Sequence, residues 1–73
     1  MAAMSHSENH LRLAMAHVAN AEDRVKNQQS LIVDLETAGE PTEASGQILK
    51  LFEETLETMR GRVDQIRRQF EPQ

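Results

Sequence analysis

The segment LRLAMAHVANAEDRVKNQQSLIVDL, residues 11–35, sets the architecture of this chain. Leu11, Ala14, Val18, Ala21, Val25, Gln28, Ile32 and Leu35 recur at alternating spacings of three and four. That rhythm puts them on one stripe of an α-helix and gives the seam of a coiled coil. Residues 49–70, LKLFEETLETMRGRVDQIRRQF, repeat the rhythm with Leu49, Phe52, Leu56, Met59, Val63, Ile66 and Phe70. Between them lies AGEPT, residues 38–42. Gly39 suits the left-handed residue just past a helix end, where a Cβ is penalised. Pro41 drives Glu40 out of helical geometry, and Thr42 can cap a second helix with Glu43 in its first turn. A connection this short makes the two helices antiparallel neighbours. The predicted fold is therefore all-α: an antiparallel, coiled-coil-like two-helix hairpin forming one domain over residues 1–73, with helix 1 at about 5–38, a turn at 39–42 and helix 2 at about 43–69.

Finer expectations follow from the same pattern. Ser5 and Glu8 have the spacing of a capping box at the start of helix 1. Setting Leu35 against Leu49 and counting outward pairs Ile32 with Phe52, Gln28 with Leu56, Val25 with Met59, Ala21 with Val63, Val18 with Ile66 and Ala14 with Phe70. On the flank of that register Glu22 comes near Arg60, an exposed pair worth ~0–1 kcal/mol. Gly46 and Gly61 interrupt helix 2, each costing up to ~1 kcal/mol relative to Ala, and mark soft points or places of close approach.

With 73 residues and no cysteine, the chain has neither a disulfide nor a thiolate metal site to supplement a small core. Among the other remedies, a metal, oligomerisation or unusually good helix packing, oligomerisation is favoured. Leu13, Met15, Leu31, Val33, Ile48 and Leu51 find no place in the single seam. Leu31 and Ile48 flank it near the turn and Leu51 continues that side, so Leu31, Ile48 and Leu51 are the candidate interface. Two hairpins pairing there would form a dimeric four-helix bundle. A seam Gln28 could set register or alignment.

Chemistry is sparse. His6 and His10 stand four apart, a spacing that can hold a metal through two imidazoles, and they are the weak metal candidates in a chain otherwise expected to carry no metal and no cofactor. Asp34, Glu36, Glu40, Glu43, Glu53, Glu54 and Glu57 crowd the turn without the pattern of a calcium loop. Glu-x-x-His, the di-metal bundle motif, does not occur. Arg60, Arg62, Arg67 and Arg68 make the end of helix 2 basic and carry the alternative of nucleic-acid binding. Against it stand the net charge of −4 and an aromatic set limited to two Phe. No nucleophile with a base in reach and no glycine-rich phosphate loop is present, so the chain reads as a non-enzyme. The N-terminal residues lack the basic start and apolar block of a signal peptide, and no apolar run approaches the ~20 residues of a membrane span. A cytoplasmic protein with no membrane contact is expected, acting as a protein–protein interaction or self-assembly module, with a second copy or another protein as partner.

His10-Leu11, Ala16-His17-Val18-Ala19, Gln29, Leu35-Glu36, Gly39, Thr42 and Leu51-Phe52-Glu53-Glu54-Thr55-Leu56 together resemble a group of short uncharacterised proteins found widely in alpha-proteobacteria. The resemblance spans roughly residues 10–65 and implies a small helical protein without an assigned activity. Members of that group often carry His where this chain has Arg24 and Met59, and His17 is the polar residue the pattern singles out.

Overall fold

A computed structural model describes residues 6–69, with side chains from residue 8. The described residues form two helices: α1, His6–Thr37, and α2, Glu43–Arg68. They lie antiparallel in a slab of 55 × 27 × 13 Å. The slab is one helix thick, so there is no second layer to enclose a core.

The expected seam is the buried seam. Every seam position from Leu11 to Ile66 is buried or half-buried, with Ala14, Ala21, Leu56, Ile66 and Gln28 the least exposed. Burial extends along the same three-four rhythm to Ser45 and Thr42, both half-buried. Phe70, the last expected seam residue, and Ser5 of the expected capping box lie outside the described residues.

The turn forms as its residues dictate. Gly39 has φ 74°, the one positive φ among the described residues. Its amide donates to the Glu36 carbonyl at 3.1 Å, and the Glu40 amide donates to the Leu35 carbonyl at 2.8 Å. This pair of bonds is the Schellman closure, which satisfies carbonyls that the helix end leaves orphaned. Thr42 stands at the N-cap of α2 but makes no side-chain cap bond. The expected hydroxyl cap is thus corrected: only the Thr42 carbonyl engages, accepting from the Gly46 amide at 2.8 Å. With ψ near 1°, Thr42 departs from the extended backbone from which an N-cap side chain reaches the second or third helical amide.

Register is the second correction. Gln28 Nε2 donates to the Ser45 carbonyl at 3.0 Å. Leu56, the expected partner of Gln28, lies ~16 Å further along α2, beyond the reach of one glutamine side chain from the same backbone position. A groove on one face brings Ala21 and Arg24 beside Phe52 and Met59, where the apolar count had put Phe52 against Ile32. Both contacts set the two helices at a different level from the expected pairing. Counting from Leu49 overlooked the two seam positions before it, Ser45 and Thr42, because neither is apolar. The Glu22–Arg60 pair survives the displacement, at 3.1 Å, because both side chains are long and lie on the outside of the seam.

Gly46 and Gly61 are not places of close approach. A Cβ added at either meets nothing within 4 Å, and neither has a positive φ. Gly61→Ala is accordingly expected to stabilise the hairpin by up to ~1 kcal/mol through helix propensity alone, read as a higher thermal midpoint by circular dichroism. A lower midpoint would show a packing role for Gly61.

Candidate functional site

The hairpin has two broad faces, one on each side of the seam. One carries charge: Glu22 pairs with Arg60 there, in a groove also lined by Met15, Asp64 and Arg67. The other carries Leu13, Leu31, Ile48 and Leu51, together with His17, Arg24, Thr55 and Arg62. Helical periodicity puts these residues on the same side of the seam. Asp34 is the one acidic residue that helical periodicity places on that second face among the described residues; Glu54 borders it, in a groove with Leu51, Thr55, Thr58 and Arg62. In a chain with 12 Asp and Glu, this is a marked segregation.

The six apolar residues left over from the seam are all exposed, from Ile48 at 42% to Leu51 at 60%. Leu31, Ile48 and Leu51, the candidate interface, share the acid-poor face near the turn, whereas Met15 and Val33 belong to the charged face. Six large apolar side chains are exposed and only Leu56 and Ile66 are fully buried, the other large seam residues described being half-buried. This imbalance also explains why α1 separates polar from apolar residues less cleanly than α2: four of the six exposed residues sit on α1.

Midway along the acid-poor face is an open groove of about 260 Å³, floored by Ala21, Phe52 and Met59 and rimmed by His17, Asn20, Arg24 and Thr55. The structure thereby gathers His17 with Arg24 and Met59. The groove is shallow and open to solvent on one side, a shape that fits a side chain from another helix better than an enclosed small molecule.

The other candidates are dispersed. Arg60 is held by Glu22, and Arg68 by Asp64 at 3.0 Å. Arg60 and Arg67 lie on the charged face, Arg62 on the acid-poor face, and Arg68 points outward, so the four do not form one stripe that could follow a phosphate backbone. The side chain of His6 lies outside the described residues. His10 is exposed on α1. Among the described residues no group of three or more His, Cys, Asp or Glu could hold a metal ion, so the carboxylates around the turn do not converge. No described helix is long and apolar enough to cross a membrane. Compared with protein-family models, with curated proteins and with solved structures, the chain matches none.

Proposed function

We propose that this hairpin is a protein–protein interaction and assembly module, working through its acid-poor face. The observation that supports this reading is the exposed apolar set: Leu31, Ile48 and Leu51 stand in solvent on a face poor in carboxylates, while of the large apolar seam residues described only Leu56 and Ile66 are fully buried and the others are half-buried. Contiguous exposed apolar surface rimmed by polar residues marks association sites, because covering it releases water at ~25 cal/mol per Å². The polar residues on the face, such as Asn20 and Thr55, can hydrogen-bond to a partner without the desolvation cost of a charge. No catalytic step is assigned to any residue. The test is the native mass of the chain in gentle extracts of the cell that makes it. Recovery in a species heavier than the 8.3 kDa chain, lost in Ile48→Glu with Leu51→Glu, is expected. Recovery of the wild-type chain only at its own mass would sink the reading.

A further inference from the structure

Resting on the interaction-module reading, we propose that the occupant of the acid-poor face is a second copy of this chain, stacked face to face with both turns at the same end. Surface area points to a partner of this size. The chain exposes 5996 Å², whereas a compact monomer of its mass exposes on the order of 4,600 Å². The excess of roughly 1,400 Å² exceeds the ~800 Å² that each partner contributes to a standard stable interface. Shape agrees: the radius of gyration is 17.0 Å, against ~11 Å for a compact chain of this length. Stacking two slabs 13 Å thick supplies the missing second layer.

Charge selects the face. Covering the charged face would take Glu22, Glu53, Glu57, Arg60, Asp64 and Arg67 out of water at a desolvation cost. The acid-poor face carries fewer charges and four of the six exposed large apolar residues, Leu13, Leu31, Ile48 and Leu51. The position of the apolar residues selects the arrangement. A two-fold axis along the hairpin lays α1 of one copy over α2 of the other, antiparallel, and collects Leu31, Ile48 and Leu51 from both chains at the turn end. A two-fold axis across the hairpin would instead bring Ile48 and Leu51 against the end carrying Arg62, burying a guanidinium on apolar side chains. The first arrangement also keeps each Arg24 away from its own equivalent and sets it over the α2 of the other copy, near Thr55.

Sedimentation equilibrium of the purified chain, with pulsed electron resonance on a spin label at Glu40→Cys, tests both parts; the absence of native cysteine makes the label unique. A mass twice that of the chain is expected, with a label-to-label distance no greater than about the 27 Å width of the slab. Ile48→Glu with Leu51→Glu should raise the dimer dissociation constant about 100-fold or more while keeping the helical circular dichroism signal. Val33→Glu, on the charged face, should leave the constant unchanged. A distance near the 55 Å length overturns the same-end arrangement, and dissociation by Val33→Glu rather than by the Ile48 and Leu51 pair overturns the face. A monomeric purified chain overturns the second copy as occupant. The module reading stands in that case if the cellular complex persists, and falls with it if the cellular mass is also monomeric.

Discussion

Leu56→Ala is expected to lower the unfolding free energy by about 2–4 kcal/mol, the largest loss of any single truncation of α2 alongside Ile66→Ala. Leu56 is 8% exposed and Ile66 4%, and they are the only large apolar side chains among the described residues that the seam buries. A helical domain of this size has ~3–5 kcal/mol to lose, so the variant should be substantially unfolded at 37 °C. Chemical denaturation followed by circular dichroism, at matched chain concentration, measures the difference. Val33→Ala is the contrasting substitution. Val33 is 58% exposed on the charged face, and Ala is the better helix former, so its midpoint should hold or rise slightly. Equal losses in the two variants would mean that the burial of the seam does not carry the stability of the hairpin.

Gly39→Ala is expected to cost about 1–2 kcal/mol, and Gly39→Asn less, since Asn tolerates the left-handed region that Gly39 occupies at φ 74°. No neighbour lies within 4 Å of an added Cβ. The penalty is therefore backbone strain and not a clash. Two amides depend on this geometry, those of Gly39 and Glu40, which close on Glu36 and Leu35. If the turn were forced out of it, the last turn of α1 would lose the bonds that end it, and α2 would lose its fixed departure angle. The order of stability Gly, then Asn, then Ala in thermal unfolding checks the argument; Ala equal to Gly would show that the turn relaxes without cost.

The hairpin and its seam were legible because they rest on local rules. A three-four rhythm of apolar residues means one helical stripe wherever it occurs, and Gly39 followed by Pro41 ends one helix and excludes its continuation. The helix bounds His6–Thr37 and Glu43–Arg68 accordingly fall within about a residue of those expected at 5–38 and 43–69. The six apolar residues outside the rhythm were legible by subtraction and are the six exposed ones. The four arginines of α2 were misleading as a group, because nearness in sequence on a helix turns successive side chains through ~100° each and spreads them over different sides.

What the chain determined by itself was the stripe, the stop and the leftover apolar surface. What tertiary structure decided was the level at which the two helices meet. A strict repeat looks the same after a displacement by whole turns, so hydrophobic counting cannot choose among registers. The choice here accompanies polar groups that such counting passes over: Gln28, 9% exposed, bonds to the Ser45 carbonyl and avoids the ~1–3 kcal/mol cost of a buried amide left without a partner. Ser45 and Thr42, half-buried at the last seam positions, are likewise invisible to an apolar count, because that count registers only side chains that water rejects.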